Sequence, residues 1–190
     1  MLAALKYKNT ILEEFYLDED DITIKRKKDD AVKGKFKKDE IVKPYQLTGN
    51  NGYDYRGIWI PGKNTTISLP WILLVLRGVN FEDGNVIDHK DGDITNNHKD
   101  NLRATTQEIN CKNRKMRYDN TSGYTGLSFH KPTGRWAVRR TIKGKRIWKS
   151  HLTKEGAIEI WKEVEKLGLK DGYTKRHGKD KDQRLSKAHQ

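Results

Sequence analysis

Val86-Ile87-Asp88-His89-Lys90-Asp91-Gly92-Asp93-Ile94-Thr95-Asn96-Asn97 runs on through Asp100-Asn101-Leu102-Arg103-Ala104-Thr105 to Thr106-Gln107-Glu108-Ile109-Asn110. Val86-Ile87 and residues 102–105 read as two short strands, because they flank a long polar loop rich in turn-forming residues. Thr105 and Glu108 have the spacing of a capping box, which predicts a helix from about Thr106 into residues 112–117. The order strand, loop, strand, helix makes a ββα unit. It puts Asp88-His89 at the end of the first strand and Asn110 one turn into the helix, so all three side chains can meet on one side of the hairpin.

Those residue types suit the hydrolysis of a phosphodiester. Magnesium takes oxygen ligands, keeps several waters, and often uses only one or two protein groups plus substrate phosphate. Asp88 and Asn110 offer a carboxylate and a neutral carbonyl oxygen. An ion held there offsets charge on the scissile phosphate and stabilises the leaving 3′ oxygen. An imidazole with its ordinary pKa near ~6.5 can take a proton from water at neutral pH, which casts His89 as general base. Neighbours on a strand start on opposite faces, so a twist or bulge must turn His89 toward the water. Asn101 serves neither as base nor as anion. Its amide can tie the loop back to the backbone around His89 and fix the ring.

Outward from this stretch, the chain is 190 residues long with 34% apolar and 34% charged residues, so two small modules fit better than one thick globule. No run approaches the ~20 apolar residues that span a bilayer. Residues 71–76 read as a short buried helix, opened by Pro70 and stopped by Gly78. Residues 1–8 are too briefly apolar for a signal peptide. Cys111 is the single cysteine, which excludes an internal disulfide and a four-cysteine zinc site and points to a reducing, cytoplasmic setting.

The net charge of +13 is uneven: from Cys111 onward stand 22 Lys and Arg against 8 Asp and Glu, leaving 17 against 18 before it. A polyanion is the natural partner for the second half, and basic residues interleaved with Phe129, Trp136 and Trp148 separate it from a merely solubilising tail. There, residues 123–129, 136–142 and 146–152 read as three strands joined by Pro132-Thr133-Gly134 and Lys143-Gly144-Lys145. A helix capped by Thr153 follows, with Ala157, Ile160, Trp161 and Val164 on one face, and Gly168 and Gly172 end it. Alternation places Trp136, Val138 and Ile142 against that helix and Ala137, Arg139 and Thr141 on the other face. On the third strand Ile147 faces inward, Arg146 and Trp148 outward. Arg140 falls inward, which predicts a place at the sheet edge with its stem over the core.

Earlier in the chain, residues 5–16 are weakly amphipathic, and residues 22–25 and 31–36 alternate like strands between charged turns. Tyr53, Tyr55, Ile58, Trp59 and Ile60 suggest a β-hairpin closing at Pro61-Gly62-Lys63-Asn64. The resulting division is an N-terminal β-rich extension at 1–52, a ββα module at 53–111 and a basic linker at 112–122. A sheet-plus-helix module follows at 123–168, then a polar tail at 169–190. The fold class is α+β.

An Asp-His pair alone carries little. The whole string does more: Asp88, His89, Lys90, Asp91, Gly92, Asn96-Asn97, Asn101-Leu102-Arg103, Thr106-Gln107, Ile109 and Asn110 closely resemble the HNH nucleases. More narrowly they resemble the His-Asn-Asn type of phage homing endonuclease, which nicks DNA with one divalent ion. The resemblance covers about residues 53–115. It implies His89 as general base, Asp88 and Asn110 as metal ligands and Asn101 as the structural asparagine. Asn110 stands where many HNH enzymes carry histidine, which favours one Mg²⁺ or Mn²⁺ ion over zinc.

Residues 121–168 resemble an AP2-type DNA-binding domain in Ser122-Gly123-Tyr124-Thr125-Gly126-Leu127, Gly134-Arg135-Trp136-Ala137-Val138 and Lys145-Arg146-Ile147-Trp148. Such domains lay a three-stranded sheet into the major groove. The expected DNA contacts are His130, Arg139, Thr141, Arg146 and Trp148, with Lys112, Arg114, Lys115 and Arg117 of the basic connector tracking phosphates between modules. The expectation is a monomeric, site-specific, strand-nicking endonuclease for double-stranded DNA, without membrane association, in the cytoplasm of a bacterial host. Two other readings are a DNA-binding regulator with an inactive nuclease remnant and a non-specific or RNA-cleaving toxin. A separate recognition module argues against the toxin.

Overall fold

The structure is a computed structural model that describes residues 1–29, 36–48 and 54–174. The chain divides into two compact units, with the division between Asn110 and Cys111. Among the described residues the architecture is mixed α+β, built from four small antiparallel sheets and several helices.

The first unit begins with two helices, α1 (Ala3–Lys6) and α2 (Lys8–Glu14), followed by a hairpin of β1 (Phe15–Leu17) and β2 (Ile24–Arg26). The weak amphipathy of residues 5–16 is thus a helix that ends where Phe15 turns extended. The strand expected at 22–25 is shifted, because Ile22 and Thr23 donate their amides to the Asp20 carboxylate and close a turn. The segment at 31–35 and Tyr53 lie outside the described residues.

Strands β3 (Tyr45–Thr48), β4 (Asp54–Ile60) and β5 (Thr65–Ser68) form an antiparallel sheet with β4 central. Alternation shows plainly in β4, where Ile58 and Ile60 are buried and Trp59 between them is exposed. At the turn after β4, Gly62 and Asn64 both take positive φ. Helix α3 (Leu69–Leu76) starts with Pro70 in its first turn, is capped by Arg77 and ends at Gly78, whose φ is 68°.

One core serves the whole unit. Ala4, Ile11, Phe15 and Ile24 pack with Ile58, Ile60, Ile67, with Ile72, Leu73, Leu74 and Val75 of α3, and with Leu102. Residues 1–26 therefore belong to the same hydrophobic centre as the strands that follow. Leu73 is fully buried, so its truncation to alanine costs about 2–5 kcal/mol.

Strands β6 (Val86–His89) and β7 (Leu102–Thr105) pair antiparallel and lead into helix α4 (Gln107–Lys112). The cap differs from the one expected. Thr105 is buried as the last residue of β7, and it is the Thr106 hydroxyl that accepts from Ile109 N at 3.3 Å. The helix stops at Lys112 instead of continuing toward residue 117, because Asn113 and Met116 are buried in the second unit.

That unit holds β8 (Leu127–His130), β9 (Arg135–Ile142) and β10 (Lys145–His151), with β9 central, and α5 (Lys154–Lys170) packed on one face. β8 starts later than expected. At Gly126 the chain passes so close to β9 that an added Cβ would lie 2.3 Å from the Arg139 carbonyl oxygen, and φ there is +81°. Leu127, Val138, Ala157 and Val164 form the core, and Trp161 Nε1 donates to Thr125 O at 2.8 Å.

Two expectations are corrected here. Arg140 lies on the central strand and is buried, with Nη1 2.5 Å from Glu165 Oε2 and its guanidinium 4.7 Å from the Tyr173 ring centroid. It needs no sheet edge, because α5 supplies its counter-charge. Gly168 does not end α5 but lies buried inside it, where an added Cβ would come within 2.6 Å of Arg140 Nη1. Gly172, at φ +88°, follows the helix end.

Candidate active site and nucleic-acid interface

Side chains as well as backbone bonds close the loop between β6 and β7. Asn101 Oδ1 accepts from Asp91 N at 2.9 Å, while its Nδ2 donates to Asp91 Oδ1 at 2.9 Å and to Asn96 O at 2.7 Å. Asn96 Nδ2 donates to Asp91 Oδ2 at 2.7 Å, and Lys90 N reaches Asn101 O at 3.0 Å. Burial opposes the Asp91 charge, but donors from Asp93 N, Asn96 and Asn101 outweigh it and hold the carboxyl below its usual value. Asp93 is held low in turn by the Thr95 hydroxyl and amide. A neutral asparagine thus clasps both ends of a loop whose length would otherwise leave it mobile.

Asp88 is buried and faces Arg103 across the hairpin. Arg103 Nε and Nη2 donate to Asp88 Oδ2 at 2.8 and 2.6 Å. His89, one residue on, lies on the wall of a cleft of about 630 Å³. Leu2, Ile22, Arg56, Trp71 and Asn97 line that cleft with it, whereas Asp88 does not line it. His89 Nε2 meets Asn97 Oδ1 at 3.0 Å. An amide oxygen can only accept, so Nε2 carries the proton in this contact, and in the neutral ring the lone pair is then on Nδ1. Gly92 N donates to His89 O at 2.8 Å, turning the chain sharply at the strand end.

Asn110 sits in the first turn of α4, half-buried, with its backbone N donating to Thr106 O at 3.0 Å. Asp88 carries a carboxylate and Asn110 an amide oxygen. That donor set fits a hard divalent cation that keeps most of its waters and takes its remaining ligands from a phosphate. Among the described residues, no group of three or more His, Cys, Asp or Glu side chains converges.

Arg103, Asn97 and Arg77 are the side chains whose part in the site the sequence left unassigned. Arg103 becomes legible only once Asp88 is registered opposite it. Asn97 was visible as one of an asparagine pair, without anything to separate it from a turn residue.

In the second unit, register decides which basic groups share a surface. His130 pairs with Arg135, Arg139 with Trp148 and Thr141 with Arg146. All carry the parity opposite Trp136, Val138 and Ile142, so His130, Arg139, Thr141, Arg146 and Trp148 lie on the face away from α5. The Trp148 side chain is half-exposed there. Ala137 has the same parity yet is fully buried, a small residue between Ser128 and Ser150 on its flanking strands.

The basic stretch after α4 is heterogeneous. Lys112 Nζ donates to Asp171 O at 3.0 Å, lies 3.1 Å from Asp171 Oδ2, and stands over the Tyr173 ring. Arg117 pairs with Asp119 at 2.7 Å on the surface, where such a pair is weak and readily exchanged. Arg114 is exposed and Lys115 partly so. No helix among the described residues is long and apolar enough to cross a membrane.

No protein-family model matches the chain. Over 67 residues, 35% of its length, it is 37% identical to DNA endonuclease I-HmuI of Bacillus phage SP01, covering 38% of that protein. Over 62 residues, 33% of its length, it is 42% identical to Protein 3.8 of Escherichia phage T7, covering 51% of that protein. The matches thus span about half or less of each relative. A solved structure of DNA binding and cleavage by the HNH homing endonuclease I-HmuI is similar at a TM-score of 0.37 and 22% identity. That likeness covers 86% of this chain and 88% of the other. In sequence, this chain is similar to a phage HNH homing endonuclease.

Proposed function

We propose that the chain is a metal-dependent, strand-nicking DNA endonuclease of the homing type, with His89 as general base and the second unit as an AP2-like DNA anchor. The observation that carries this reading is the fixing of the His89 ring by Asn97 on the wall of a cleft, at the end of the strand that also carries Asp88. With the ring proton on Nε2, Nδ1 is the atom that takes the proton from the attacking water. The Asp91–Asn101–Asn96 clasp holds the loop, and with it the base, against the drift that would misalign attack. Asp88 and Asn110 are the residues that would hold one Mg²⁺ or Mn²⁺. Bound there, the ion would offset charge on the phosphate and on the leaving oxygen.

The second unit supplies affinity. Arg139 and Arg146 can contact phosphate or read guanine, while Trp148 supplies an indole for DNA to cover. Arg114, Lys115 and Arg117, at the start of the second unit, add phosphate contacts, as does Lys112 wherever it exchanges Asp171 for DNA. Linking the units raises the effective concentration of the weaker binder and lengthens the recognised site. The protein acts as a monomer, since nicking needs one active site, in the cytoplasm of the phage's bacterial host.

The ion pair between Arg103 and Asp88 favours a second reading, a DNA-binding regulator, because it commits the carboxylate to an internal partner. One experiment separates the two. Supercoiled plasmid carrying the DNA that flanks the gene is incubated with the full chain and Mg²⁺ or Mn²⁺, beside His89→Ala. Nicking by the wild type alone, with equal DNA binding by both, supports the nuclease. Binding without nicking by either supports the regulator.

A further inference from the structure

Arg77 ends α3 with its side chain almost wholly buried. Its Nη2 donates to two carbonyls far apart in sequence, Asp21 O at 2.6 Å and Asn97 O at 3.0 Å. Its Nε lies 3.2 Å from Asp21 Oδ2. Burial works against the guanidinium charge, and Asp21 offsets part of that cost. The Asp21 carbonyl is itself fixed, because Asp20 closes the turn around it by accepting from Ile22 N and Thr23 N. One nitrogen therefore fastens the turn of the first hairpin to the loop between β6 and β7. The residue it grips in that loop is Asn97, whose side-chain oxygen meets His89 Nε2.

We propose that Arg77 is a positioning residue: by holding the Asn97 carbonyl it sets the amide that orients the His89 imidazole, and through Asp21 it makes the first hairpin part of that support. Its consequence for rate rests on the nuclease reading; its consequence for the ring does not. A neutral side chain of similar length at position 77 releases Asn97 from Asp21, and the imidazole loses the acceptor that selects its Nε2–H form. A lysine keeps the charge but brings one nitrogen where the guanidinium fixes two in a rigid fork, so it cannot hold both carbonyls and the Asp21 carboxylate as Nη2 and Nε do together.

The test uses the full-length chain as wild type, Arg77→Met, Arg77→Lys, Asn97→Ala and the Arg77→Met/Asn97→Ala double variant, each checked for folding by thermal melting. Nitrogen-15 NMR of the His89 ring at one fixed pH reports where its proton sits, without DNA or metal. Plasmid nicking gives kcat and KM. The wild type should show the Nε2–H form, and both Arg77→Met and Asn97→Ala should mix the two forms. In nicking, Arg77→Met should lower kcat about tenfold to a hundredfold with KM little changed, as misplaced catalytic groups do. The double variant should be no slower than Asn97→Ala, since coupled positions do not add. Arg77→Lys should fall between, and it carries the test if the methionine variant does not fold.

An unchanged ring form in Arg77→Met would overturn the proposal. So would additive losses in the double variant, a KM effect alone, or a fully active Arg77→Lys. Absence of nicking by the wild type would remove the nuclease reading and leave the ring measurement to decide this one.

Discussion

The loop between β6 and β7 and the outer face of the β8–β9–β10 sheet are both polar, yet their side chains are used in opposite ways. In the loop, Asn101, Asp91, Asn96 and Asn97 spend their donors and acceptors on one another and on His89. On the sheet, Arg146 and Trp148 stand exposed and Arg139 partly so. Geometry that must hold to a fraction of an ångström is built from closed hydrogen-bond networks. Affinity for a polyanion needs charge that remains available to solvent and partner. Composition alone does not separate the two; connectivity does.

The sharpest way to break this contrast is His89→Ala. It should lower the nicking rate by about a thousandfold, as loss of a general base does, with DNA affinity unchanged in a filter-binding or gel-shift measurement. A parallel loss of affinity would mean the loop also binds. Next, Glu165→Ala leaves Arg140 buried without its counter-charge and should cost about 3 kcal/mol in urea unfolding of the second unit. A negligible cost would show that the Tyr173 ring alone satisfies the guanidinium.

Trp148→Ala should weaken DNA binding about tenfold, the loss expected for one stacked or covered aromatic, without altering the nicking rate at saturating protein. An unaltered affinity would return that face to ordinary solvated surface. The smallest effect concerns Asp91→Asn. The folded Asp91 carboxyl is held below its unfolded value, so its contribution is complete above that value, near pH ~3.9, and is lost as pH falls through the folded one. The variant should therefore lose less stability than the wild type on acidification below about pH 4. Identical acid unfolding curves would show that the clasp does not depend on the ionised carboxylate.

Much of this was legible in the chain itself where period and turn chemistry coincide. Ile58, Trp59 and Ile60 alternate as a half-buried strand does, and Pro70 with Gly78 brackets α3. Thr153 caps α5, its hydroxyl accepting from Gly156 N at 3.2 Å. The ββα order around Asp88 and His89 followed from two apolar runs, a polar loop and the helical spacing after Thr106. What stayed hidden depends on tertiary partners. Two short helices in the first fourteen residues have weak patterns of their own and exist because the shared core gives Ala4 and Ile11 a place to bury. Thr105 and Thr106 are equally good caps on paper, and only the end of β7 chooses between them. The roles of Arg103, Arg77 and Arg140 were unreadable, since an arginine's task is set by the carboxylates and carbonyls that the fold brings to it.

Gly168 shows how far such dependence can reach. A helical glycine there is clearance for the Arg140 guanidinium: a methyl group at 168 has to push Nη1 aside, and with it the contact to Glu165. Positions 140, 165 and 168 thus share one set of contacts, in which the room left by a missing side chain keeps a buried ion pair closed.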